Sequence, residues 1–264
     1  MSLRVLQLSD PHLLADPAGS YRQRRPLPAL ATALRVCLAA GPVDGLLLSG
    51  DLCQDETCGG YARLRDLLAV ELPPELPVAL LPGNHDHPFL LRAALGRRAV
   101  IAPAELTFPG GRLLLLDSHL PGAVGGRLGV QQRRWLAERL GAGSPDPPTL
   151  VAVHHPPLAI GDPGMDTIGL VDGAALLELL ADAPGLQAVV FGHIHQHWSG
   201  ELAGTGGLPV ALLGCPSTLC AFPAVQPCPL GRPLDPGGRL LLLDPAGLQE
   251  QLLRWATPEL PSLP

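Results

Sequence analysis

Apolar and polar positions along this chain fall into short apolar runs, each ended by a polar cluster. The runs LRVLQLS, GLLLS, PVALLP, TLVAV and QAVVF stop at Asp10-Pro11-His12, Gly50-Asp51, Gly83-Asn84-His85-Asp86, His154-His155-Pro156 and Gly192-His193-Ile194-His195. Such β-rich runs, bounded by Gly, Pro or polar residues, read as buried strands; the first covers Leu3 to Ser9. Between them, helical spacing of apolar residues predicts helices at Leu27 to Ala40, Tyr61 to Val70, Pro88 to Leu95, Gln131 to Leu140 and Gly173 to Ala183. The βαβαβ rhythm predicts an α/β fold with a parallel sheet and helices on its faces. Leu106 to Phe108 and Arg112 to Asp117 read as further strands. Beyond His195 the rhythm changes. Pro209 to Gly214, Arg239 to Leu243 and Gln249 to Trp255 read as strands of a β-meander that completes a second sheet. A single domain over 1–256 is expected, with a loose tail at 257–264.

The polar clusters carry the chemistry. A strand that ends in Asp, Asn or His sets a donor atom on a rigid element at the sheet's carboxyl edge, where open α/β sheets bind ligands. Taken singly, a strand-end Asp is a turn residue and a lone His a satisfied surface or core group. Five such clusters in succession are a pattern. Two carboxylates, one amide oxygen and several imidazoles, without thiolate, suit Mn, Fe or Zn. One octahedral ion would not use all of these donors and leave room for water. Two ions sharing one carboxylate would, and paired ions ~3.5–4 Å apart clamp both attacking and leaving oxygens in phosphoester cleavage.

Composition narrows the partners. Hydrophobic content of 47% is ample for a core, so the chain is not of the disordered class. With a net charge of −6 and no basic stripe interleaved with aromatics, a nucleic-acid partner is not expected. The opening MSLRVLQLSD enters a strand at once and is not read as a signal peptide. No apolar run reaches the ~18 residues of a membrane span. A cytoplasmic protein is expected, and its six cysteines are read as reduced thiols; a four-cysteine zinc site from Cys53, Cys58, Cys215 and Cys220 is the alternative.

The order D-x-H, GD, GNHD, H-x-P, GHxH resembles the calcineurin-like metallophosphoesterase superfamily from Asp10 to His195. The fuller strings GDLCQD, LPGNHD, LLLDSHLPG, HHPP, FGHIHQ and GCPSTLCAF extend a closer likeness, to bacterial class III 3′,5′-cyclic AMP phosphodiesterases, as far as Phe222. The chain departs from these enzymes at Tyr21 to Arg25, where they often carry a Val-Asn-Thr-like stretch. The resemblance implies a four-layer α/β/β/α sandwich with two divalent metal ions at the strand ends. Asp10, His12 and His195 would hold the first ion and Asn84, His154 and His193 the second, with Asp51 bridging. His85, the catalytic candidate, would contact the phosphate and protonate or stabilise the leaving oxygen; a structural role is its alternative. Asn84, His85, His195, Ser217 and Thr218 are the candidate substrate contacts, with an ST-turn the plainer reading of Ser217 and Thr218. Asp55 and Asp86 are either carboxylates orienting metal-bound histidines or surface turn acids. His155 is read as structural, and His119 and His197 as candidates for the pocket wall.

The implied reaction is hydrolysis of 3′,5′-cyclic AMP to 5′-AMP by a hydroxide shared between the ions. A glycerophosphodiesterase, another small-diester or monoester hydrolase, and a non-catalytic scaffold are the alternatives. A small-molecule phosphodiester substrate and a monomer or homodimer are expected. The apolar, Pro-rich segment Cys215 to Pro233 is read as either a dimer surface or a pocket lid.

Overall fold

The computed structural model describes residues 1–141, 147–203 and 209–256. In chain order the first half holds β1 (Leu3–Leu8), α1 (Pro26–Ala39), β2 (Gly45–Leu48), α2 (Cys58–Glu71), β3 (Val78–Leu80), α3 (Pro88–Leu95), β4 (Val100–Ile101), β5 (Ala104–Phe108) and β6 (Gly111–Leu115). It continues with α4 (Gly129–Gly141), β7 (Thr149–Ala152), the short α5 (Pro163–Asp166), α6 (Gly173–Leu180), β8 (Leu186–Phe191), β9 (Trp198–Leu202), β10 (Val210–Gly214), β11 (Gly237–Asp244) and β12 (Gly247–Arg254). The tail at 257–264 lies outside the described residues.

Two six-stranded mixed sheets form, in the orders β12-β11-β1-β2-β3-β4 and β5-β6-β7-β8-β10-β9. Alternate residues of the central strands point to opposite faces, and here both faces are covered. Leu6 and Leu8 of β1 and Leu46 and Leu48 of β2 pack with α1, α2 and α3. Leu114, Val151, Val189 and Phe191 pack with α4 and α6. The opposite parity, Leu3, Val5, Leu47, Leu113, Leu115, Leu150, Ala152, Ala188 and Val190, fills the space between the two sheets. This is the four-layer α/β/β/α arrangement, and burial on both faces is why its strands read as near-continuous apolar runs.

The expected meander is corrected. Of the late strands only β10 joins the second sheet, parallel to β8 and antiparallel to β9. β11 instead crosses to the first sheet, antiparallel to β1 with Leu3 opposite Leu243, and β12 pairs with β11. The two sheets are tied at this crossing by Arg239 of β11. Its guanidinium, 1% exposed, donates to the carbonyls of Gly214 (3.0 Å) and Trp198 (2.9 Å) in the second sheet and pairs with Glu250 at 2.6 Å.

β1, β2 and β3 run parallel, as do β7 and β8. Their carboxyl ends therefore deliver all five polar clusters to one edge of the sandwich, three from one sheet and two from the other. Gln7 bridges the sheets beneath that edge, its amide donating to Ser49 Oγ (3.0 Å) and to the Phe191 carbonyl (3.3 Å).

Candidate dinuclear metal centre

All seven sequence-predicted ligands meet at this edge. The donor atoms of Asp10, His12, Asp51 and His195 lie within 4.8 Å of one another. His12 Nε2 and His195 Nε2 converge to 3.0 Å, and His195 Nε2 is 3.4 Å from Asp10 Oδ1. The second group is marked by atoms with nothing to bind. Asn84 Oδ1, His154 Nε2 and His193 Nε2 are each buried without a hydrogen-bond partner. Three orphaned lone-pair donors at one place fit a cation, since buried polar atoms otherwise find partners. Asp51 joins the groups: one carboxylate oxygen lies 3.8 Å from His12 Nε2 and the other 3.4 Å from His154 Nε2.

Backbone carbonyls set which nitrogen each imidazole presents. His154 donates from Nδ1 to the Ser49 carbonyl at 2.7 Å, and His195 from Nδ1 to the Cys220 carbonyl at 3.1 Å. Each Nε2 then keeps its lone pair for a metal, the usual role of a histidine's outer partner. His155 is grouped with His154 and His193 by distance, but it is no ligand. It donates from Nε2 to the Val124 carbonyl (3.0 Å) and accepts from Ser118 Oγ at Nδ1 (2.8 Å), which leaves no lone pair free. The structural reading of His155 holds.

Burial alone would lower the His154 imidazole, but the Asp51 carboxylate overrides it and lifts it to about 9. Burial likewise opposes His195, which Asp10 raises to about 10. Both carboxyls are correspondingly held below their usual range, Asp51 furthest. Metals must displace these protons to bind.

The local backbone explains the motif glycines. Asp10, His12, Asp51, His193 and His195 all have positive φ, between 48° and 67°, where L-residues are strained by ~1–2 kcal/mol each. Such strain persists where function fixes it. A Cβ on Gly50 would land in the His154 ring, one on Gly83 on the Asp51 carboxylate, and one on Gly192 on Ser9 Oγ. The glycine of each motif thus vacates space for a side chain of another element, and packs against side chains more than against a metal.

Other expectations are corrected. Asp86 orients no histidine. It accepts from the backbone of Leu52, Cys53 and Gly83 and from the Tyr61 hydroxyl, so it clamps the loops that carry Asp51 and Asn84. Burial and then the Asp51 charge raise its carboxyl to about 7. Asp55 accepts from Ala15 N, Cys53 Sγ and Thr57 Oγ1, again with no histidine. Ser217 is fully buried and donates to the Asp10 carbonyl while accepting from Leu219 and Cys220, so it is an ST-turn under the site and not a substrate contact. Thr218 is also fully buried, its hydroxyl shut away from solvent. The six cysteines are free, and among the described residues no metal-sized cluster contains one.

His119 donates to the Gly83 carbonyl at 2.9 Å, next to Asn84. His197 is turned elsewhere, donating to the Pro227 carbonyl and accepting from Arg254. Sequence reasoning missed Gln54, whose amide lies 3.3 Å from His85 Nδ1, and Phe222, stacked on His195. The string GDLCQD contained the first and GCPSTLCAF ends on the second, but neither string shows which ring the residue meets.

Residues 3–197 match the calcineurin-like phosphoesterase family. The chain belongs to that family. A probable cyclic nucleotide phosphodiesterase of Synechococcus sp. strain WH7803 is 48% identical over 97% of this chain and 98% of its own. The 3′,5′-cyclic adenosine monophosphate phosphodiesterase CpdA of Pseudomonas aeruginosa is 34% identical over 94% of this chain and 88% of its own. Among solved structures, a purple acid phosphatase of yellow lupin superposes with a TM-score of 0.65 at 15% identity. That likeness concerns the fold, and this calcineurin-like phosphoesterase covers 96% of itself and 52% of the lupin chain in the match. No helix among the described residues is long and apolar enough to cross a membrane.

Proposed function

We propose that this protein hydrolyses 3′,5′-cyclic nucleotides, cyclic AMP first among them, to 5′-nucleotides in the cytoplasm, as a monomer or homodimer. The observation that carries the phosphodiester chemistry is the Asp51 carboxylate set between two donor groups. Asp10, His12 and His195 form one group and Asn84, His154 and His193 the other. The cyclic-nucleotide substrate is supported by the names of relatives that align over nearly the whole chain.

Two divalent ions of the Mn, Fe or Zn kind, when bound, supply Lewis-acid charge at the phosphodiester oxygens and make water more acidic. The chain's residues do the rest. The carbonyls of Ser49 and Cys220 hold His154 and His195 in the tautomer that offers Nε2. His85 is held at the rim, its backbone N donating to Asp51 Oδ1 at 3.0 Å. Gln54 donates to His85 Nδ1, so the neutral ring carries its proton on Nε2. As the oxygen of water joins phosphorus and the bond to the 3′ oxygen breaks, His85 donates a hydrogen bond from Nε2 to the departing oxygen, and the proton released by the attacking water ends on that oxygen. The product is 5′-AMP with a free 3′ hydroxyl.

The test is product formation by Mn-loaded protein on equal concentrations of 3′,5′-cyclic AMP, 2′,3′-cyclic AMP, glycerophosphocholine and a bis-aryl phosphate, with His85→Ala as control. Fast, His85-dependent formation of 5′-AMP is expected. Turnover of glycerophosphocholine or the aryl diester alone would retire the cyclic-nucleotide reading and leave a phosphodiesterase of another substrate.

A further inference from the structure

At the mouth of the site two segments far apart in sequence meet through one arginine. Tyr21 and Arg24 exchange both backbone hydrogen bonds, at 2.9 and 3.0 Å, and close a two-residue turn. Its central residues, Arg22 and Gln23, have φ of 48° and 61°. Turns of that hand normally take Asn or Gly, so two long side chains are held there against backbone preference. Arg22 Cζ sits 5.5 Å from the Tyr21 ring centre, with Nε donating to the Tyr21 hydroxyl at 3.3 Å. The same guanidinium lies 4.9 Å from the ring centre of Phe222.

Phe222 ties this cation to the metal ligands. Its ring stacks on His195 at 4.3 Å and 12°, and its backbone N donates to the His195 carbonyl at 3.2 Å. Phe222 thus contacts both His195 and Arg22. On the far side, Tyr21 lies 5.0 Å from His12, which lies 4.9 Å from His195. His12, His195, Phe222, Arg22 and Tyr21 form a closed circuit of planar groups. Phe222 is held rigidly within it. Gln196 accepts from Val225 at 2.8 Å, and Ser199 and Gln226 exchange two bonds of 2.9 Å, pinning the segment Cys215 to Pro233 to the strand that follows His195.

Resting on the cyclic-nucleotide reading above, we propose that Tyr21, Arg22 and Phe222 form the wall that recognises the nucleobase, with the exposed Arg22 guanidinium as its stacking surface. The phosphodiester is taken by the donor groups. Arg22 is exposed and reaches the buried His195 through Phe222 and His12 through Tyr21, so it borders the donor groups where the sugar would carry the base. A guanidinium plane stacks on aromatic faces, and every base offers one. A small polyol such as glycerol offers none, so this wall favours nucleotides over glycerophosphodiesters. The same geometry assigns the segment Cys215 to Pro233 to the substrate side of the site.

The test uses the full-length, Mn-loaded protein with Arg22→Ala, Arg22→Lys and Phe222→Leu, metal content being measured for each. Rates on 3′,5′-cyclic AMP are compared with those on methyl para-nitrophenyl phosphate, a diester without a base. For Arg22→Ala, kcat/KM on the cyclic nucleotide relative to the base-free diester falls about tenfold, chiefly through KM, as loss of one stacking contact predicts. Arg22→Lys falls nearly as far, because a point charge does not replace the plane. An unchanged ratio, or an equal fall on both substrates, overturns the wall while sparing the phosphodiesterase reading. Wild-type protein that leaves 3′,5′-cyclic AMP intact but turns over the base-free diester overturns both.

Discussion

Gln54 donates from its side-chain amide to Nδ1 of His85 across 3.3 Å, joining the loop after β2 to the loop after β3. In the proposed reaction the pair acts as a unit: one residue sets the ring and its tautomer, the other presents its Nε2–H to the leaving oxygen. Gln54→Leu therefore slows turnover of diesters with alkoxide leaving groups by about tenfold, less than the roughly 100-fold loss from His85→Ala. Aryl diesters, whose leaving oxygen needs little protonation, lose far less in both. A plot of rate against leaving-group acidity checks this; equal losses across the series would remove Gln54 from the proton's path.

Asp51 faces both donor groups, whereas Asn84 faces one. Asp51→Ala empties both metal positions, and Asn84→Ala lowers occupancy of one. Elemental analysis of protein purified from metal-replete medium reads the difference. In wild type, metal at ~100 times its dissociation constant adds about 2.7 kcal/mol of stability, seen as a rise in Tm that Asp51→Ala does not share.

Gly50 and Gly122 both have positive φ, at 108° and 75°. A Cβ at Gly50 enters the His154 ring, while at Gly122 nothing lies within 4 Å. Gly122→Ala is expected to lose only ~1–2 kcal/mol of stability from backbone strain, with activity intact. Gly50→Ala abolishes metal binding because His154 must move. Retained metal in Gly50→Ala would show that the ring has another position available.

Arg239 is the buried tie between the sheets. Arg239→Met removes the guanidinium's bonds to the Gly214 and Trp198 carbonyls and leaves Glu250 unpaired with it, at a cost of about 3 kcal/mol. Chemical denaturation of metal-loaded protein measures this. A loss below 1 kcal/mol would mean that water reaches those carbonyls.

The gathering of the candidate ligands at one edge was legible because each follows an apolar run, and a parallel strand has one exit. Asp10, Asp51, Asn84, His154 and His193 all leave strands that way. The destination of β11 was not legible. Its apolar residues would suit either sheet, and the choice is made by pairing with β1 across the length of the chain. Ser217 misled for the same kind of reason. Its sequence allowed both a turn and a ligand contact, and only its burial beneath Asp10 decides. Asp86 was expected either to orient a histidine or to sit in a surface turn; its partners are backbone amides from two loops and the Tyr61 hydroxyl, which no spacing rule reveals.

The placement of β1 has a consequence for how the molecule is made. This strand, which carries Asp10 and His12, takes one neighbour from β2 and the other from β11, and the Ser9 carbonyl is capped by Thr218. During synthesis on the ribosome, β1 therefore stays an open edge until the chain has emerged through Asp244. An open edge is a template for unwanted pairing, so the nascent chain is most exposed to aggregation in its middle stretch. The candidate ligands are all synthesised before β11, so a product terminated ahead of Gly237 would carry every one of them yet leave β1 unpaired along one side.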